Sequence, residues 1–486
     1  MSLSVLFTHS YFLKLDPKQL AAARPYPPLG TLYAMAWLRE RGHEVALHDT
    51  MFADGPDGFE DALDRHRPNL VAIYDDGFNW LTKMCLTNMQ RAAFAMIAAA
   101  KQRGLPVVVC SSDSSDHRQR YLEAGADAVI LGEGEITLGE VVAAVESGEA
   151  WDDIAGMALL RDGAVVLTGP RKNIREPDNL PRAAWDAVDL APYESMWRRH
   201  HGYWSLNMVS SRGCPYRCTW CAKPIYGNQY FLHSPERVVA DLVWLAERHN
   251  FEHIWFCDDI FGLRAEWLEA FADGLEAHGL SIRFMIQARV DMLVKERIRN
   301  AMIRAGLDTV WLGVESGSQK ILDAMDKGIT VDQVYQAVPP LQAAGVKVAF
   351  FLQFGYLGET REDIRRTVAM VLDLVPDEIG ISVSYPLPGT PFYETVRAQM
   401  GDKTNWDHSD DLALMYEGTY PAAYYRRLHR WVHKRFQVAR GLASLKRLFR
   451  HPGAMERRHW RSVLLTPYFA VAGAVDGIRL SWLERA

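Results

Sequence analysis

The chain has 486 residues, of which 49% are hydrophobic and 23% charged, with a formal net charge of −6. That length exceeds one ordinary core and that composition is globular, so two or three domains are expected and a disordered chain is excluded. The mild acidity offers no global basic field for nucleic acid, and six cysteines are too few for a disulfide framework. Such usage fits a reduced, cytoplasmic compartment, where clustered thiols mean metal or catalysis.

The N-terminal MSLSVLFTHSYFLKLDP begins on an apolar strand with no basic leader and no small-residue cleavage site, so no signal peptide is expected. Residues 1–148 alternate short β-branched runs (SVLFT, EVALH, NLVAIYD, PVVVCSS, DAVILGE) with helical patterns. Gly42, Gly104 and Gly125 mark helix stops. Near-continuous apolar strands separated by helices predict a doubly wound, Rossmann-like parallel sheet. Ligands of such sheets sit at the carboxyl ends of the strands. The sequence places His9, the run 74–79, the run 111–117 (SSDSSDH) and the run 132–135 (GEGE) there. Residues 149–202 break the rhythm with a small hairpin, LLRDGAVVLTGPR, and a proline-punctuated linker.

From 203 to 395 the alternation resumes through LNMVSS, HIWFCDD, IRFMIQ, TVWLGVE, VKVAFFLQF and EIGISVSYP. Six βα repeats predict a partial (βα)6 barrel, with chemistry at the strand carboxyl ends. Residues 396–486 turn helical and basic. Leu428, Trp431, Val432, Phe436, Ala439, Leu442, Leu445 and Phe449 form an apolar stripe largely opposite Arg426, Arg430, Lys434 and Arg440. That helix reads either as packed on the barrel with a solvated basic face, or as a peripheral contact with an anionic membrane surface. The apolar VLLTPYFAVAGAVDGI beyond it is interrupted by Pro467 and Asp476, so no spanning helix is expected.

SSRGCPYRCTWCAKPIYG follows the first barrel strand and holds Cys214, Cys218 and Cys221 as C-x3-C-x2-C. A structural zinc needs four ligands. Cys85, Cys110 and Cys257 lie in unrelated segments, none at CxxC spacing. Three thiolates from one loop suit a [4Fe–4S] cluster with one iron left open.

With Pro215 after the first cysteine and Trp220 before the last, this motif resembles the radical S-adenosylmethionine superfamily, over residues 203 to 395. The resemblance implies that the three cysteines ligate the cluster and that the S-adenosylmethionine amine and carboxylate chelate the open iron. Reductive cleavage would then give a 5′-deoxyadenosyl radical, with the electron from an external flavodoxin- or ferredoxin-like donor. It places Glu315 and Ser316, in VESGS, on the cofactor, with the carboxylate accepting from both ribose hydroxyls. Asp258 or Asp259, in FCDDIF, stands where the family has a Gly-Gly-Glu segment and would accept from the amine; this departs from the family pattern. Gln287 and Arg289, in QARVD, would face the methionyl carboxylate, and FLQFGYLGET would meet adenine. Cys257 reads as a buried strand cysteine, or as a catalytic methyl carrier or radical quencher.

The N-terminal pattern, with PYPPLGTLYAMAWLRERGHEV and YLEAGADAVILGEGEITLGEV, resembles the cobalamin-binding domain of the B12-dependent members. Those include the anaerobic magnesium-protoporphyrin ester cyclase and methyltransferases of unactivated carbon. Ser112, Asp113, Gly132, Glu133 and Gly134 would line the corrin. The D-x-H-x-x-G cobalt-ligand motif is missing after the first strand, so neither His9 nor His117 is expected to ligate cobalt. The leading expectation is radical methylation of an unactivated carbon in a small molecule. The alternatives are an oxidative cyclisation of a tetrapyrrole- or lipid-like substrate and a non-catalytic cobalamin or redox sensor. No nucleic-acid partner is expected.

Overall fold

The computed structural model describes every residue except 1, 80, 81, 83, 85, 402, 403, 410, 451, 452, 454, 485 and 486; Cys85 therefore lies outside the described residues. The chain divides into two units. The first comprises Met1–Tyr216, Ala222–Ile286 and Asn405–Asp411; the second comprises Arg217–Cys221, Gln287–Thr404 and Leu412–Ala486.

In the first unit, β1 (Ser4–Thr8), β2 (Glu44–His48), β3 (Leu70–Tyr74), β4 (Val107–Cys110) and β5 (Ala128–Ile130) form a parallel sheet in the order β2-β1-β3-β4-β5. Register is tight, with Val5 opposite Val45 on one side and Leu70 on the other. Val5, Leu6, Phe7, Leu70 and Val71 are fully buried, as a sheet covered on both faces requires. Each such side chain contributes roughly 1.5–3 kcal/mol. This strand order reverses direction between β1 and β3, the crevice where doubly wound sheets take ligands.

The hairpin expected within the linker instead extends this sheet. β6 (Met157–Arg161) pairs antiparallel with β5, and β7 (Ala164–Leu167) with β6. The short β5 would otherwise leave an open edge, and Met157, Ala158 and Leu159 are fully buried in covering it.

The first unit also holds β8 (Ser205–Met208), β9 (Ser211–Arg212), β10 (Phe231–Leu232), β11 (His253–Phe256) and the start of β12 (Arg283–Ala288), with β8, β11 and β12 parallel. Between β10 and β11 runs the helix Pro235–Ala246, started by the Ser234 hydroxyl accepting from the Arg237 amide and by proline at its first position. The proline-rich entry to the helix Leu29–Arg39 is fastened to β8. Asn207 donates to the Pro27 carbonyl at 2.9 Å, and the Tyr26 and Ser205 hydroxyls meet at 3.0 Å.

The second unit carries β13 (Leu307–Glu315), β14 (Lys347–Phe354) and β15 (Glu378–Val383), again parallel. Their connecting helices Val331–Ala343 and Arg361–Leu374 each begin with a capping box, Thr330 with Gln333 and Thr360 with Asp363. These six parallel strands with intervening helices are the βα units of the expected partial barrel.

The basic segment forms the helix Ala422–Arg450, against which the helix Arg457–Leu483 packs. The expected apolar stripe is buried only at Leu428, Val432 and Phe436; Phe449 is exposed. The interruption expected at Pro467 and Asp476 does not occur. One helix runs through both, and its segment His459–Leu483, mean hydropathy 1.4, is long and apolar enough to cross a membrane by length and composition. Asp476 fits because it is buried and paired, 2.7 Å from Arg427 and also with Lys434.

Candidate active site

The cysteine loop begins at Arg212, and the reason it begins there is steric and electrostatic. Gly213 has φ 81°, and a Cβ there would collide with the Gln229 carbonyl, so only glycine lets the chain leave β9 beside β10. Arg212 is wholly buried. Its Nη1 stands 3.1 Å from Glu133 and its Nη2 2.8 Å from Glu135, with the rings of Tyr33, Phe78 and Tyr226 within 5.5 Å of the guanidinium. Burial opposes its charge, but Glu135, Tyr226 and Glu133 outweigh burial and hold it protonated well above the usual arginine value.

Cys214, Cys218 and Cys221 are part-exposed thiols, none in a disulfide. The middle of the loop is stitched down by backbone: the Thr219 amide donates to the Met325 carbonyl and the Phe392 amide to the Thr219 carbonyl, both at 3.0 Å. The Thr219 and Tyr356 hydroxyls meet at 2.7 Å. Among the described residues no three His, Cys, Asp or Glu side chains are already gathered as a metal site. The loop thus offers the donor set that an iron–sulfur cluster uses, three thiols on one accessible segment, without a preformed cage.

In the second unit Glu315 closes β13 with φ 61°, a left-handed conformation uncommon outside glycine and typical of functional sites. Its carboxylate is buried and accepts from the Lys327 ammonium at 2.7 Å. Lys327 in turn lies 5.7 Å from the centre of the Trp220 ring. Burial would discharge Lys327, yet Glu315 first and Cys218 second keep its pKa above the ordinary lysine value. No local pattern marks Lys327; only the fold brings DKGIT back onto VESGS.

Ser316 is buried, 3.1 Å from Thr367 and accepting from the Ser318 amide at 3.1 Å, so it shapes the turn. Arg289 is buried and donates to Asp291 at 3.0 Å and to the Gly328 carbonyl at 3.3 Å. Gln287 is part-buried at the end of β12. Within FLQFGYLGET, Glu359 is fully buried. One of its oxygens accepts from the Gly355 amide at 2.7 Å and the other has no partner. Burial pushes its carboxyl up to about 8.

At the end of β11 the two aspartates separate. Asp258 is buried and accepts from the Ser210 amide and hydroxyl and from the Ser211 hydroxyl, tying β11 to the approach to the cysteine loop; burial still lifts its carboxyl to about 6. Asp259 is part-buried. Cys257 is buried against the Met208 carbonyl at 3.2 Å.

At the carboxyl ends of β1 and β4, the Tyr11 and Ser112 hydroxyls are buried without a hydrogen-bond partner, which is what an amide-rich ligand would relieve. Asp113 is engaged, accepting from Gln90 at 2.7 Å, Tyr121 at 2.6 Å and Asn405 at 2.9 Å. The Glu133 carboxylate is held by Arg212 and by the Ile174 amide, and a Cβ on Gly134 would press within 2.7 Å of the Tyr74 ring. Gly132 sits with the Ile225 carbonyl 3.5 Å from where its Cβ would be. His9 is buried with one ring nitrogen 2.8 Å from Asp49 and the other 3.0 Å from the Thr50 hydroxyl. His117 lies 2.9 Å from Asn405. Both imidazoles are therefore engaged by protein groups.

Two family models match, that of the Radical SAM superfamily over residues 208–371 and that of the B12 binding domain over residues 20–142. The chain is 28% identical over 389 residues to an uncharacterized methyltransferase of Pyrococcus horikoshii, covering 79% of this chain and 82% of the relative. It is 25% identical over 394 residues to an anaerobic magnesium-protoporphyrin IX monomethyl ester cyclase of Synechocystis, covering 79% and 76%. Its fold is similar to that of TsrM, a radical S-adenosylmethionine methyltransferase from Kitasatospora setae with cobalamin and a [4Fe–4S] cluster bound. The TM-score is 0.68 at 20% identity, over 82% of this chain and 75% of that one.

Two measurements check this electrostatic picture. Lys327→Met leaves the buried Glu315 carboxylate uncompensated, and urea unfolding at neutral pH should show a loss of about 3–5 kcal/mol. Glu359 binds its proton more tightly folded than unfolded, so its contribution is complete below the unfolded carboxyl value and is lost as pH rises through about 8. Glu359→Gln should remove that component. Between pH 6 and 8 the wild type should lose roughly 2 kcal/mol more than the variant by the same unfolding assay.

Proposed function

We propose, from its matches to the Radical SAM and B12 binding domain models, that the chain is a radical S-adenosylmethionine enzyme that transfers a methyl group to an unactivated carbon of a small-molecule substrate. Enzymes of this superfamily need an electron donor, and we assign that role to a separate flavodoxin- or ferredoxin-like protein. When bound, the cluster supplies the electron that cleaves S-adenosylmethionine to a carbon-centred radical, and the cobalamin supplies a carrier for the methyl group.

The residues divide the remaining work. Cys214, Cys218 and Cys221 would hold the cluster, and the Lys327 ammonium offsets negative charge on Cys218. Glu315 takes the ribose hydroxyls, which requires its carboxylate to share or release Lys327. Asp259, Gln287 and Arg289 are assigned to the methionyl end, and Ser316 to the same cofactor. Tyr11 and Ser112 offer their unpaired hydroxyls to the corrin amides beside Gly132, and Asp113, Glu133 and Gly134 fix the loops that carry them. The observation that carries this reading is Arg212, since one buried cation joins the start of the cysteine loop to the GEGE run.

Product analysis tests it. Anaerobically reconstituted enzyme, given S-adenosylmethionine, hydroxocobalamin and a one-electron reductant, should release both S-adenosylhomocysteine and 5′-deoxyadenosine, and Cys218→Ala should reduce 5′-deoxyadenosine to background. Formation of 5′-deoxyadenosine without S-adenosylhomocysteine would reject methyl transfer. It would favour the cyclase chemistry that the name of the Synechocystis relative indicates for that protein.

A further inference from the structure

The reaction makes no use of the last helix, Arg457–Leu483, whose two sides are unlike. One side packs on Ala422–Arg450: Gly441 lies under Thr466 and Ser462, Gly477 under Trp431, and the buried Asp476 pairs with Arg427 and Lys434. On the other side Trp460, Leu464, Tyr468, Val471, Ile478 and Trp482 are 46% to 76% exposed. Their spacing of three, four or seven residues puts them on one stripe along the helix, with a tryptophan at each end. A continuous apolar surface of this kind marks an interaction site rather than scattered surface residues.

The charges beside the stripe indicate what covers it. Lys446, Arg447 and Arg450 end the first helix, Arg457 and Arg461 begin the second, and all are exposed; Phe449 among them is 80% exposed. An apolar protein face would satisfy the stripe but not the cations. Acyl chains beneath anionic headgroups satisfy both, with the tryptophans at interfacial depth. Crossing the bilayer fits poorly. The second helix is tied to the first through Asp476 and the Gly441 crossing, so insertion would carry Arg426, Arg430, Arg435 and Arg440 into hydrocarbon.

We propose that these two packed helices dock the enzyme on an anionic bilayer surface, lying in the interface with their stripe toward the acyl chains and their basic adjoining ends among the headgroups. The docking is independent of which reaction the enzyme performs. Vesicle flotation with the full reconstituted chain tests it, using phosphatidylcholine alone against phosphatidylcholine with about 30% phosphatidylglycerol. The wild type should partition onto the anionic vesicles at least roughly tenfold more strongly and be released by high salt or carbonate. Leu464→Glu combined with Val471→Glu and Ile478→Glu should abolish binding while leaving the cluster absorbance and S-adenosylmethionine cleavage intact. The separate triple Arg447→Gln, Arg450→Gln and Arg457→Gln should remove the preference for anionic lipid. Failure of the wild type to float, or floating unchanged by either triple, would overturn the proposal. So would resistance to carbonate extraction, which indicates spanning, or a vesicle-indifferent dimer that the glutamate triple dissociates, which indicates a second copy.

Discussion

A single buried guanidinium organises the first unit. Arg212 is entirely removed from water, and its charge is balanced by Glu133 and Glu135 on the loop and helix that follow β5. Removing both carboxylates would strand a cation in a low-dielectric interior, at a cost of several kcal/mol. The pair therefore acts as a constraint on position: the chain two residues before Cys214 cannot move without unbalancing the end of the N-terminal sheet. Ile225 and Tyr226, just beyond the cysteines, pack on Gly77 and Gly132 at the ends of the same sheet. The cysteine loop is thus held at both limbs by the strand ends of the N-terminal sheet.

The second unit uses the opposite device, a buried charge that a ligand can claim. Glu315 is held in a left-handed backbone conformation and is neutralised by Lys327. Strain and a buried ion pair leave a paired carboxylate with hydrogen-bonding capacity to spare, which is what the proposed ribose contact needs. Glu359 beneath the adjacent glycine turn, with its carboxyl pushed up to about 8, stays largely neutral and adds no competing charge.

What the sequence revealed and what it hid follow from the range of each interaction. The cysteine loop, the βα alternation and VESGS are local patterns and could be read directly. GEGE was legible as a strand-end loop, but its carboxylates are engaged by Arg212, a partner dozens of residues away that the sequence does not mark. Lys327 was hidden for the same reason. The hairpin β6–β7 was legible as a hairpin, but its joining the N-terminal sheet was not: β7 is largely solvated, and nothing local shows that β5 needs an edge covered. Pro467 and Asp476 read as breaks in an apolar segment; the ion pairs to Arg427 and Lys434 that make Asp476 acceptable inside a helix come from another helix.

The central claim is that one chain holds two cofactors, a cluster on the cysteine loop and a cobalamin on the N-terminal sheet. Its most direct test is metal analysis after anaerobic reconstitution with iron, sulfide and hydroxocobalamin, followed by desalting and a visible spectrum. The account predicts about four iron and about one cobalt per chain, with iron lost in Cys214→Ala. Iron without retained cobalt would contradict the cobalamin assignment of the N-terminal sheet, and cobalt without iron would contradict the cluster assignment of Cys214, Cys218 and Cys221.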